Sequence, residues 1–190
     1  MLRTSAAVGP KKTTMAWSVA ATIAVCSLPA PAWADGPKEV GGHVGVATPL
    51  VSISKETKSI SDQFTLLTPI GVTVKPGGKL AIDFEVVVAN PISPVGNTGL
   101  VVDPGVVYNW GGFATGLRLA FQTNTSANVG LIPLINVGLA DFGGSAWFIE
   151  AAFPTFIQSV LDDPTPGNLI PTTHHAQGTF NVVLHTGIGF

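Results

Sequence analysis

Residues 181–190 read NVVLHTGIGF. Counting back by twos from Phe190 gives Ile188, Thr186, Leu184 and Val182. The positions between them are Gly189, Gly187, His185, Val183 and Asn181. Side chains on a strand alternate between faces, so this segment has one almost wholly apolar face and one mixed face. Chain ends ordinarily fray, yet here the strand pattern continues to the final aromatic residue. Alone, the segment fits either the edge of a soluble sheet or a closing strand whose apolar face meets a membrane. The rest of the sequence discriminates between them.

At the other end, Arg3, Lys11 and Lys12 precede an apolar stretch from about Met15 to Leu28, and Ala32-Trp33-Ala34 follows. No acidic residue occurs before Asp35. This is the pattern of a cleaved secretory signal peptide over residues 1–34, and its apolar run is too short to span a bilayer as a helix. Lipid attachment at Cys26 is a weaker reading, because Val25 stands where a small residue is needed. Removing 34 of 190 residues leaves 156, with 6 basic and 11 acidic side chains and a net charge of −5. The only cysteine is lost with the signal, so the mature chain has neither a disulfide nor a thiolate metal site. It has no basic patch for nucleic acid. Without disulfides, an exported domain of this size must be held by its own ladder, its core or a membrane. Charged residues make up 11% of the chain, against about 25% in soluble domains, which points to a surface facing lipid.

From Gly42 onward the chain divides into β-rich runs separated by turn clusters. Eight are predicted, starting near Gly42, Phe64, Lys79, Gly99, Phe113, Asn128, Ala146 and Gly178. Each is roughly 9 to 13 residues long, enough for a tilted strand to cross a bilayer. The second, fourth and sixth connections are tight and glycine-bearing: KPGG (75–78), NWGG (109–112) and DFGGS (141–145). The others are longer or more polar: SKETKSISDQ, NPISPVGNTG, TNTSAN, and a seventh from about Ser159 to Gln177. Short turns at one end and long loops at the other are the asymmetry of transmembrane barrels. Tyr108, Trp110, Phe113, Phe142, Trp147 and Phe190 lie beside the short turns or at Phe190 itself, as rings at a membrane interface would.

The predicted faces separate charge from apolar surface. Leu80, Ile82, Phe84, Val86 and Val88 oppose Lys79, Ala81, Asp83, Glu85 and Val87; Leu117, Leu119 and Phe121 oppose Arg118; Trp147, Ile149 and Ala151 oppose Glu150. The charges Lys79, Asp83, Glu85, Asp103, Arg118 and Glu150, with His185, therefore form one set. A charge facing lipid near the bilayer centre costs a few kcal/mol, so the set should point into the lumen, with Arg118 and Lys79 paired to the carboxylates. A packed, salt-bridged interior is favoured over a gate or ion path, because eight strands leave room only for side chains or one small ligand. Val87, Ile132, Leu134, Phe148 and Val183 share that face, giving an apolar interior. The prolines Pro49, Pro69, Pro104, Pro133 and Pro154 recur within the runs, although proline donates no ladder hydrogen bond; bulges would accommodate some of them.

Catalytic patterns are sparse. Ser159, Asp162, Asp163, His174 and His175 share the longest loop and could in principle act on lipid acyl groups, but one loop's spacing implies no base–nucleophile geometry. Adjacent histidines do not easily chelate together, so no metal site is expected. No phosphate loop, dinucleotide fingerprint or other cofactor motif is present.

The signal peptide, eight runs, turn asymmetry and Phe190 together resemble small bacterial outer-membrane β-barrel proteins across residues 40–190, and the last ten residues resemble their closing signal strand. More loosely, DPGVVYNWGGFATGLRLAF (103–121) with GLIPLINVGL (130–139) is similar to outer-membrane barrels grouped as transporters of the phenol-degradation type. Members of that group are longer, and no catalytic residue carries over. The expectation is an all-β fold: an eight-stranded antiparallel up-and-down transmembrane β-barrel over 42–190, preceded by a short periplasmic segment over 35–41. Val182, Leu184, Ile188 and Phe190 would be the insertion signal read by the barrel-assembly machinery. The resemblance implies an outer-membrane location, lipid contact, and a structural or small-molecule passage role, with a hydrophobic ligand fitting the lumen better than an ion. The alternatives are a lipid-modifying enzyme using the 159–177 loop and a soluble exported ligand-binding barrel.

Overall fold

The computed structural model describes residues 39–123, 128–161 and 174–190; for 158–161, 174 and 175 the description is of the backbone alone. The signal peptide expected over 1–34 lies outside the described residues. Ten strands follow one another: β1 (Glu39–Ile53), β2 (Thr57–Ser59), β3 (Phe64–Gly77), β4 (Leu80–Ser93), β5 (Gly99–Asn109), β6 (Ala114–Thr123), β7 (Asn128–Asp141), β8 (Ala146–Ala152), β9 (Thr155–Leu161) and β10 (His174–Gly189). All pairings are antiparallel. The order β2-β1-β3-β4-β5-β6-β7-β8-β10-β9 is joined end to end by β1–β10 and β7–β9 pairing, so the hydrogen bonds form a closed ring.

The count of ten corrects the expected eight. β2 is a three-residue strand folded back on the end of β1, pairing Val51 with Ser59 and Ile53 with Thr57. The seventh predicted run is broken at Phe153–Pro154 into β8 and β9, both of which lie between β7 and β10. With β8 and β9 sharing one place and β2 a side branch, the ring is eight places around. Two predicted boundaries also move. β1 begins at Glu39, inside the segment expected to precede the sheet. β10 begins at His174, because His174–Phe180 pairs with the whole of β9. Of the loop predicted over 159–177, residues 159–161 and 174–177 are therefore strand, and the rest lies outside the described residues.

The tight turns have local causes. Gly77 and Gly78 both have positive φ, and Gly77 pairs with Leu80 across the β3–β4 turn. In the β5–β6 turn, Gly111 has φ of 112° and its N–H donates to Asn109 Oδ1 at 2.7 Å. In the β7–β8 turn, the Gly143 N–H donates to Asp141 Oδ1 at 2.7 Å and the Phe142 N–H to Ser145 O at 2.8 Å. An Asx side chain followed by glycine is what such turns favour. The long 54–63 connection is organised differently. Asp62 Oδ2 accepts from the Ser59 N–H at 2.8 Å and its hydroxyl at 2.7 Å, which holds the Asp62 carboxyl below the usual carboxylate range.

Most of the recurrent prolines sit at interruptions of the ladder, where a missing N–H costs least. The β1–β10 register shifts between Pro49 and Val51. The β1–β3 pairs skip from Val44↔Ile70 to Ala47↔Leu67, beside Pro69. The β5–β6 pairs skip from Val102↔Phe121 to Gly105↔Arg118, across Asp103 and Pro104. Pro154 occupies the β8–β9 break, where its carbonyl accepts from Asn181 N at 2.8 Å and the Pro133 carbonyl accepts from Phe153 N at 2.9 Å.

Burial alternates with period two. Ala47, Val87, Ala120, Ile132, Leu134, Phe148, Ala152 and Val183 are buried inside the ring. Outward positions are apolar and exposed on every side: Val44 and Val46 on β1, Ile70 and Val72 on β3, Phe84 on β4, Val106 on β5, Leu117 and Leu119 on β6, Leu131 and Ile135 on β7, Trp147 on β8, Leu184 and Ile188 on β10. At the β1–β10 seam the N–H of Phe190 donates to Gly42 O at 2.9 Å, and the Gly42 N–H returns a bond to Phe190 O at 2.8 Å.

Candidate functional site in the interior of the ring

Strand alternation turns Asp83 and Glu85 (β4), Asp103 (β5), Arg118 (β6), Glu150 (β8) and His185 (β10) inward, and each is at most 4% exposed. Arg118 is the centre. Its Nε donates to Asp83 Oδ2 at 2.9 Å and its Nη2 lies 2.6 Å from the same oxygen, while Nη1 donates at 3.3 Å to both Glu85 Oε1 and Glu150 Oε1. The planar guanidinium suits this role, since it offers five donors in a fixed fork. The second oxygens of Asp83 and Glu150 are also occupied. Thr73 Oγ1 donates to Asp83 Oδ1 at 2.7 Å, Asn136 Nδ2 donates to Glu150 Oε2 at 3.2 Å, and His185 Nδ1 lies 3.4 Å from Glu150 Oε1.

Sequence reasoning missed His43. It is 8% exposed, and its Nε2 lies 2.6 Å from Glu85 Oε2. The signal was available: His43 shares a face with Ala47 on a strand whose other face, Val44 and Val46, is apolar. Phe148 packs edge-on to both histidines, with ring centroids 5.9 Å from His43 and 5.0 Å from His185. Glycines on neighbouring strands give the large inward groups room. A Cβ on Gly71 would overlap the His43 ring, one on Gly105 the Arg118 stem, and one on Gly187 would crowd Phe148.

Lys79 does not join this layer, which corrects its expected pairing with the carboxylates. The β3–β4 turn falls at residues 78 and 79, so Lys79 lies at the end of the ladder, where its carbonyl accepts from the Asn109 N–H at 2.8 Å and its side chain is exposed at the rim. No ion pair of Lys79 occurs among the described residues. Asp103 is buried with the others, but among the described residues it makes no ion pair and its Oδ1 has no hydrogen-bond partner.

The charged layer divides the interior. On the short-turn side lies a cavity of about 500 Å³, reaching from Arg118 and Glu150 to Lys79, Asn109, Ser145 and Phe190. On the other side lies one of about 240 Å³, walled by Leu67, Pro69, Val101, Ile132, Pro154 and Phe156 and floored by Asp103 and Arg118. Both are bounded by Arg118 and Glu150.

The six aromatics singled out in the sequence, Tyr108, Trp110, Phe113, Phe142, Trp147 and Phe190, are all exposed. The indole N–H of Trp110 donates to Thr115 Oγ1 at 3.0 Å and that of Trp147 to Thr186 Oγ1 at 2.7 Å, so each ring is apolar outward with its polar atom satisfied. Phe64, Phe121 and Phe180 form a further exposed group toward the long-loop end of their strands. On β10, Leu184, Ile188 and Phe190 point outward and Val182 is half-buried on the same face. Asp162 and Asp163 lie outside the described residues, as do the side chains of Ser159, His174 and His175, so the loop constellation has no described geometry.

No family model matches this chain, and no curated protein or solved structure is significantly similar to it.

Proposed function

We propose that the protein is an integral outer-membrane β-barrel with a structural role and an interior that holds a small, largely hydrophobic molecule rather than conducting ions. One observation carries the membrane assignment: the outward face is apolar all around the ring, while six buried charged or ionisable side chains and His43 are turned inward. Soluble proteins rarely expose contiguous apolar patches beyond a few hundred Å². A lipid-facing surface needs such a belt, together with a closed ladder that leaves no backbone group unpaired. β1, β3, β4, β7 and β10 run 14 to 16 residues, more than the about 9–11 needed for a tilted crossing. The exposed aromatics beside the short turns, and Phe64, Phe121 and Phe180 toward the other end, match interfacial girdles. The apolar outward face of β10, with Val182, Leu184, Ile188 and Phe190, is the segment offered to the barrel-assembly machinery, and lipid is the principal partner.

The test is expression of the full chain in a Gram-negative host, followed by fractionation and electrophoresis of boiled against unboiled detergent samples. Recovery in the outer membrane with a heat-dependent mobility shift is expected. A monodisperse protein recovered from the periplasm without detergent would sink the proposal.

A further inference from the structure

We infer that the cavity on the long-loop side of the charged layer binds a small amphiphilic amine, its ammonium group held at Asp103 and its hydrocarbon body against the apolar wall. The inference deepens the ligand-holding role proposed above and rests on it.

The buried charges are unbalanced. Four buried carboxylates, Asp83, Glu85, Asp103 and Glu150, surround one guanidinium. Arg118 divides its contacts among Asp83, Glu85 and Glu150. Glu85 also receives His43, and Glu150 receives Asn136 and His185. Asp103 is left over: it is 1% exposed, and its Oδ1 has no partner. It lies directly across the β4–β5 ladder from Glu85, and like charges in that relation destabilise a sheet. An unpaired carboxylate in a dry interior is costly until a cation or proton neutralises it.

The cavity above Asp103 supplies the remaining features. Its walls include Pro49, Leu67, Val87, Val101, Ile132 and Phe156. Asn128 also lines it, 6% exposed, and Asn128 Oδ1 is a second buried acceptor without a partner among the described residues. The Asn128 amide is oriented by donating from Nδ2 to Gln122 Oε1 at 2.5 Å. Two unfilled acceptors, one of them a carboxylate, call for a donor bearing positive charge, and an ammonium has three N–H groups and no acceptor. The volume of about 240 Å³ is below the roughly 300–1,000 Å³ of sites for drug-sized ligands, so the occupant is small. Its body must be apolar to match the wall.

The test uses the detergent-solubilised full chain, titrated calorimetrically near neutral pH with n-hexylammonium, hexan-1-ol and hexanoate. Saturable one-site binding of hexylammonium is expected, with the alcohol and the carboxylate at least about tenfold weaker; charge-assisted hydrogen bonds supply a difference of that order. Asp103→Asn should weaken hexylammonium by about tenfold or more. Val101→Trp, which fills the cavity from its wall, should abolish binding. Equal binding of hexan-1-ol would overturn the inference, because a proton would then be what neutralises Asp103. So would unchanged binding in either variant, or no binding to the wild-type chain. The wild-type series stands even where a variant fails to assemble. Heat-dependent mobility on the same preparations separates this inference from the barrel reading: a membrane barrel that ignores hexylammonium overturns the ligand alone, and a soluble protein that binds it overturns the membrane alone.

Discussion

Gly71 illustrates how little slack the interior has. A Cβ there would overlap His43, whose imidazole is held against Glu85 at 2.6 Å. Gly71→Ala must push the ring off that carboxylate, and overpacking of this kind costs about 1–3 kcal/mol. The heat-modification midpoint in detergent should fall, whereas Gly138→Ala, with open space at the added methyl, should leave it nearly unchanged. Arg118 has the larger stake. Arg118→Met strips the guanidinium from Asp83, Glu85 and Glu150 together, and breaking a buried pair from one side costs about 3–5 kcal/mol. Adding Glu150→Gln in that background should restore part of the loss, and a double-mutant cycle on the same midpoint reads the coupling. Arg118 and its carboxylates were legible from alternation, since each lies opposite an apolar outer residue. His43 obeys the same alternation, opposite Val44 and Val46, but the glycines at 41, 42 and 45 blur the pattern on β1. Lys79 was misplaced because a side chain beside a turn obeys the turn rather than the strand.

Among the elements, the 54–63 connection is the one with a pH dependence to measure. Its bonds from Ser59 hold the Asp62 carboxyl below the ordinary range. A depressed folded-state value stabilises the hairpin above the ordinary carboxylate range, and that stabilisation is lost as pH falls through the lowered value. Hydrogen exchange at the Ser59 and Ile60 amides, relative to the β4 ladder, should therefore lose protection in acid, and Asp62→Asn should flatten the profile. The tight turns could be read directly because their determinants are local: an Asx or a glycine pair within four or five residues. The break between β8 and β9 could not. Pro154 fits a bulge as well as an interruption, and the choice depends on β7 and β10, whose carbonyl at Pro133 and N–H at Asn181 take up the bonds around the gap.

For the whole molecule, closure and blockage go together. The ring leaves no free edge around its eight places, and the layer of Asp83, Glu85, Arg118 and Glu150, each at most 4% exposed, separates the two cavities. Ions crossing it would have to break several charge-assisted hydrogen bonds in a dry interior. Reconstituted in planar bilayers, the wild-type chain should show no sustained conductance; regular porin-like steps would refute a blocked interior. The prolines at 49, 69 and 154, an objection to a regular sheet when read along the chain, all border the smaller cavity. They interrupt the wall around that cavity.

Alternation by itself determined the antiparallel β architecture, the division of each strand into a charged and an apolar face, and the positions of the tight turns, because period-two patterning and turn chemistry act over a few residues. Only the tertiary structure decided the ten-strand count, the seam that joins Phe190 to Gly42, the recruitment of His43, and which carboxylate goes without a partner. Those outcomes depend on register between strands far apart in sequence. A single guanidinium can reach only as many carboxylates as the ring places around it, and Asp103, beside the Pro104 interruption, is the one it does not reach.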